Sequence, residues 1–168
     1  MDFVAASAIG IGLVGGIGAF LLLLLPVALG LSFWVALIGF ATFYHCGGKE
    51  AGLSKAIVHN IFGAVMGLIL LLLVKFIPLN GALGAPLWIG ICVLITLFIL
   101  VIASKWPTLG DIPASILGYA PLVAFVGNSA AVTAVSFDNP FVNVVISLVI
   151  GAVLGYLAEK LTAALAKK

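Results

Sequence analysis

The sequence predicts an all-α polytopic membrane protein. Its six membrane segments form two inverted three-segment repeats, with segments two and five short or broken. Three observations carry that prediction: hydrophobic runs of spanning length, a one-sided distribution of lysines, and two short motifs that recur in the same order. The 168 residues are 65% hydrophobic and 7% charged, with a mean hydropathy of +1.43. A soluble domain of this size would lack the polar surface to stay in water at that composition. The chain reads as one transmembrane domain, 1–168, with repeat halves 1–78 and 79–168.

A span needs about 20 mostly apolar residues to cross roughly 30 Å of hydrocarbon. Segment one (4–25) follows no basic stretch and reads as a retained span rather than a cleaved leader. Its Gly10, Gly12, Gly15, Gly16 and Gly18 suit close helix packing. Segment two (27–46) is marginal in length and brings Thr42, Tyr44 and His45 near its end. Segment three (54–76) holds His59, Asn60 and a GxxxG pair, Gly63 and Gly67. Segment four (85–104) is a plain apolar span. Segment five (112–126) is short, opening with Asp111 and Pro113. Pro121 inside it removes a backbone donor and clashes with the preceding turn. Ser115 and Tyr119 precede that break, and Asn128 and Ser129 follow it. Segment six (140–157) starts at Asp138-Asn139-Pro140, a capping side chain ahead of a first-turn proline. Its Asn143, Ser147 and Gly151 share one face at four-residue spacing.

The lysines choose between topologies. If all six segments span, Lys49, Lys55, Lys105, Lys160, Lys167 and Lys168 share a side and only Lys75 falls opposite. If segments two and five dip in and return, the split is four to three. Cytoplasmic loops carry excess lysine and arginine, so six spans with both termini cytoplasmic is the expected arrangement. Trp34, Trp88 and Trp106 are expected as interface anchors, and Glu159 and Lys160 as side chains reaching back to water.

Ile38-Gly39-Phe40-Ala41 is matched by Leu117-Gly118-Tyr119-Ala120, and Gly63-Ala64-Val65-Met66-Gly67 by Gly151-Ala152-Val153-Leu154-Gly155. The offsets are 79 and 88 residues, so the second half holds a longer loop around 128–139. An odd number of spans per half forces the second half to enter from the opposite side. His59 then corresponds to Ser147, and their two faces are expected to meet at the pseudo-twofold axis.

Several functions are excluded by composition. A net charge of +2 without any arginine gives no nucleic-acid surface. Cys46 and Cys92 make no CxxC pair and read as small apolar fillers, and with His45 and His59 they form no short-spaced metal motif. No metal, cofactor or catalytic set is expected, because neither a nucleophile–base pair nor a phosphate-cradling glycine loop is present. No Asp, Glu, Lys or Arg lies deep in a span, which disfavours proton relays and ion-driven pumping.

The run from Leu31 to Tyr44, followed by Gly47-Gly48-Lys49 and Gly52-Leu53-Ser54-Lys55, resembles a bacterial inner-membrane family catalogued as domain of unknown function 1097. The runs from Ile112 to Ala120 and from Leu148 to Tyr156 are similar to that family's second half. The resemblance implies a small polytopic protein of the bacterial inner membrane and brings no activity and no functional residues with it.

Short, interrupted segments at matching places in two halves point to a solute site. The leading expectation is therefore a passive channel or facilitator for a small neutral or weakly polar solute: urea, an amide, ammonia or a short polyol. Its lining candidates are Thr42, Tyr44, His45, His59, Ser115, Tyr119, Pro121, Asn143 and Ser147. A membrane scaffold or regulatory subunit, and a Na⁺-coupled secondary transporter, are the alternatives. Expected partners are membrane lipid, the solute and further copies of the chain, since glycine faces favour homo-oligomers.

Overall fold

The structure is a computed structural model that describes residues 1–24, 31–77, 79–133 and 139–166, with backbone alone at 128–131. The described residues are helical apart from turns. In chain order they form α1 (Phe3–Leu24), α2 (Phe33–His45), α3 (Lys49–Phe76), a single turn α4 (Asn80–Leu83), α5 (Ala85–Ala103), α6 (Ile112–Val123) and α7 (Pro140–Leu165). Short 3-10 turns at Pro107–Leu109 and Val126–Thr133 flank α6. Helices α1, α3, α5 and α7 are long and apolar enough to cross a membrane.

The two short helices fall where segments two and five were expected, and both are shorter than expected. At 13 and 12 residues they reach only about 18–20 Å, well under a hydrocarbon core of roughly 30 Å. Residues 25–30, part of expected segment two, lie outside the described residues. The chain after Pro121 tightens into 3-10 geometry by Val126, which ends α6 early. Segments three and six are longer than expected. Helix α3 starts at Lys49, five residues before its apolar run, and α7 continues through Lys160 to Leu165.

Hydrogen-bonding side chains and glycines set the helix boundaries. Asp111 caps α6 by accepting from the Ala114 N–H at 3.1 Å, and Asn139 caps α7 by accepting from the Phe141 N–H at 2.9 Å. Asp138 lies outside the described residues. The α2–α3 turn places Gly47, Gly48 and Lys49 at φ of 93°, 68° and 58°. Glycine makes the first two left-handed positions inexpensive. The Lys49 N–H that follows donates to Glu159 Oε2 at 2.7 Å. Glu159, expected to reach for water, thus ties the start of α3 to the last turns of α7.

That contact fixes direction. Helix α3 begins beside Glu159 of α7, and its end is beside Thr133, just ahead of α7, through Lys75 Nζ at 2.6 Å. The two long helices therefore run in opposite senses. Helix α2 packs chiefly on α7, and α6 packs chiefly on α3. Both pairs are in close backbone contact. A methyl built on Gly39 would overlap the Leu148 carbonyl, and one on Gly151 the Ala36 carbonyl. A methyl on Gly118 would overlap the Asn60 carbonyl, and one on Gly63 the Ser115 carbonyl. Gly155 faces Phe43 in one pair, and Gly67 faces Leu122 in the other. Every α2 residue named here lies 79 positions before its α6 counterpart, and every α3 residue 88 positions before its α7 counterpart. Small residues allow this approach, which maximises dispersion contact between helices.

An apolar centre of Val35, Ala64, Leu71, Leu122, Val144 and Leu148 joins the two pairs. Helix α1 covers α7, and α5 covers α3, packing Trp88, Cys92 and Leu100 against Met66, Leu70 and Val74. Trp34 and Trp106 are exposed as expected of interface anchors, whereas Trp88 is buried in this layer.

Candidate functional site

The strongest polar cluster forms where α2 ends, α3 begins and α6 begins. Asp111, the α6 cap, stands at its centre. Its Oδ1 accepts from His45 Nε2 at 2.9 Å and its Oδ2 from Lys55 Nζ at 2.7 Å. Its backbone N–H donates to His59 Nε2 at 3.1 Å. His59 Nδ1 lies 2.8 Å from the Lys55 carbonyl, so the ring carries its proton on Nδ1 and accepts on Nε2. Burial works against ionising the Asp111 carboxyl, but Lys55, the Ala114 N–H and His45 outweigh it and hold the group well below the usual carboxylate range. His59 also lines a cavity of about 410 Å³ with Ser54, Lys55, Val58, Pro107 and Thr108.

The His59 contact has a counterpart in the other helix pair. Ser32, the residue before α2, donates its N–H to Ser147 Oγ at 3.0 Å. Ser32 lies 79 positions before Asp111, and Ser147 lies 88 after His59. In each case the first free N–H of a short helix is held by a side chain of the long helix from the other half. The expectation that the His59 and Ser147 faces meet each other is corrected. The face of His59, Gly63 and Gly67 packs on α6, and the face of Ser147 and Gly151 packs on α2.

The remaining candidates divide between separate surroundings. Thr42 is buried and returns its hydroxyl to the Ile38 carbonyl at 2.8 Å. Pro121, 79 positions after Thr42, is buried in α6 and has no N–H to offer the Leu117 carbonyl. Tyr44 is exposed, rests on Phe40 and Phe43, and lines a cavity of about 320 Å³ with Phe3, Ser7, Glu159 and Thr162. Tyr119 points its hydroxyl at Thr96 of α5, at 3.0 Å. Ser115 is fully buried with no partner for its hydroxyl, and Asn143 is buried with its Oδ1 unpartnered. Helices α2 and α6 touch each other far less than each touches its long partner, so the candidates do not share one wall. The side chains of Asn128 and Ser129 lie outside the described residues.

Sequence reasoning missed four participants. Asp111 was legible only as a cap, Lys55 only as a topology charge, Thr96 not at all, and Asn60 only as a neighbour of His59. Asn60 is fully buried, and neither atom of its amide has a partner. The signal for Asp111 was available, because the offset of 79 that matches Gly39 to Gly118 also aligns it with Ser32, the residue before α2. Among the described residues no three His, Cys, Asp or Glu side chains gather as a metal site.

A family model described as a protein of unknown function (DUF1097) matches residues 8–163, and the chain belongs to that family. No curated protein and no solved structure matches it.

Proposed function

We propose that this member of the family is a passive membrane facilitator for a small neutral solute, built as a six-segment inverted repeat. The observation that carries the reading is the recurrence of the α2–α7 contacts in α3–α6, at constant offsets and between long helices of opposite sense. Inverted repeats with short helices at matching places are a common transporter plan, because a broken segment exposes polar backbone to a passing solute. Of the described lysines, Lys49, Lys55, Lys105 and Lys160 belong to the end of the molecule built around the α2–α3 turn, and Lys75 belongs to the other. We assign the lysine-rich end to the cytoplasm. Asp111 at that end is paired with Lys55 and His45, which suits a neutral solute.

Gly12 and Gly16 of α1 form a GxxxG pair with open space beside them, and we assign that face to a second copy of the chain. The function is tested by stopped-flow swelling of proteoliposomes with urea, acetamide, glycerol and ammonia. Protein should accelerate at least one solute over empty vesicles. Rates equal to empty vesicles for all four would remove the facilitator reading. Cysteine labelling should place positions 49 and 105 on one face and 75 on the other. Opposite faces for 49 and 105 would remove the inverted repeat.

A further inference from the structure

The two helix seams share a backbone arrangement but not a chemistry. At corresponding positions the α3–α6 seam carries His59, Asn60, Ser115 and Tyr119, where the α2–α7 seam carries Ser147, Leu148, Ala36 and Phe40. His59 and Ser147 each hold a helix-opening N–H, and Tyr119 bonds Thr96. Asn60 and Ser115 are left over. Both are fully buried, and the amide and the hydroxyl find no partner among the described residues. Each such group costs about 1–3 kcal/mol when buried unpaired.

Packing does not demand them, because Leu148 and Ala36 fill the same places in the other seam. Nor is Ser115 obliged to stay unpaired. Thr42 and Thr96 each return a hydroxyl to the carbonyl four residues back, at 2.8 and 2.9 Å, and Ser115 does not. We infer that Asn60 and Ser115 form a hydrogen-bonding station in the α3–α6 seam for a compact neutral guest with both a donor and an acceptor, an amide-type solute or water. The carboxamide offers one donor group and one acceptor, and the hydroxyl offers either. The adjoining His59 lines the 410 Å³ cavity, which serves as the mouth. Charged guests are disfavoured, because Lys55 and Asp111 neutralise each other there and both ring nitrogens of His59 are engaged by backbone groups. The inference rests on the facilitator reading and makes one seam the site, where that reading leaves both open.

The test uses the full chain with Asn60→Leu/Ser115→Ala, the residues of the other seam, beside Ala36→Ser as the mirror control. Swelling is measured with water and with acetamide, and thermal unfolding in detergent with and without acetamide. Whichever of the two the wild type passes should slow about tenfold in the double variant, the size of one lost hydrogen bond, and stay unchanged in Ala36→Ser. Slowing for acetamide identifies an amide station, and slowing for water alone identifies a water station. Wild-type flux retained by a folded double variant overturns the station and leaves the facilitator standing. If the wild type passes neither probe, binding decides. A rise in unfolding temperature with acetamide that the double variant loses upholds the station, and no rise in either overturns it. Should the double variant not fold, Ser115→Ala alone carries the same comparisons.

Discussion

Replacing Asp111 separates its two roles. The carboxylate caps α6 and pairs with Lys55 and His45. Loss of an N-cap costs about 1 kcal/mol. Both ionic partners are well exposed, at 45% and 41% of the side chain, so each pair contributes about 0.5 kcal/mol. Asp111→Ala should therefore destabilise the fold by about 2 kcal/mol. Asparagine caps nearly as well as aspartate, so Asp111→Asn should cost only about 1 kcal/mol. Equilibrium unfolding of the purified protein in mixed detergent micelles reads both values. The sign of the pH dependence follows from the lowered carboxyl affinity for protons in the fold. Its contribution is complete above the unfolded carboxylate value of roughly 4 and is lost as pH falls toward the folded value. The gap between wild type and Asp111→Asn should thus hold steady above about pH 5 and narrow progressively as pH falls below about 4. A gap that stays constant below about pH 4, or equal losses in Asn and Ala variants, refutes the reasoning.

Glycine substitutions should divide by what faces them. Gly63→Ala and Gly151→Ala drive a methyl into a backbone carbonyl and should each cost about 1–3 kcal/mol, whereas Gly15→Ala meets open space and should leave monomer stability unchanged or raise it by up to about 1 kcal/mol; the same unfolding assay decides. Glu159→Ala removes the acceptor for the Lys49 N–H and should cost about 1 kcal/mol while speeding proteolysis at the α2–α3 turn. A Glu159→Ala protein as resistant as wild type would show that the turn needs no such tie.

Much of this fold was legible because membrane helices announce themselves by length and hydropathy. The segment boundaries that differ are set by single contacts and turns. Helix α3 begins in the charged stretch from Lys49 because Glu159 accepts its first N–H, and no hydropathy profile contains a contact 110 residues away. Helix α6 stops at Val123 because the turn after Pro121 tightens, which composition alone did not place. The site was legible in part. His45 and His59 were singled out as polar residues near one surface, but the carboxylate that joins them was read as a cap. Ser115 was chosen for its type, and Asn60 was passed over. Only the fold reveals that their polar atoms are buried without partners.

The comparison of seams separates what architecture requires from what chemistry adds. A glycine facing a carbonyl recurs in both seams, and so does a side chain holding the first N–H of a short helix. Those features belong to the scaffold, since each pays for a close backbone approach or an unsatisfied helix end. Features found in one seam alone have no such explanation. Serine suffices at position 147 to hold an N–H, yet position 59 carries a histidine tied to Lys55 and Asp111. Leucine suffices at 148, yet position 60 carries an unpaired amide. Both departures fall on consecutive residues of α3, the first of which lines the 410 Å³ cavity. In the α2–α7 seam Thr42 satisfies its hydroxyl within its own helix and Asn143 leaves only its Oδ1 buried without a partner, so on the proposed reading the wholly unpaired amide and hydroxyl of the α3–α6 seam are where a solute would bond.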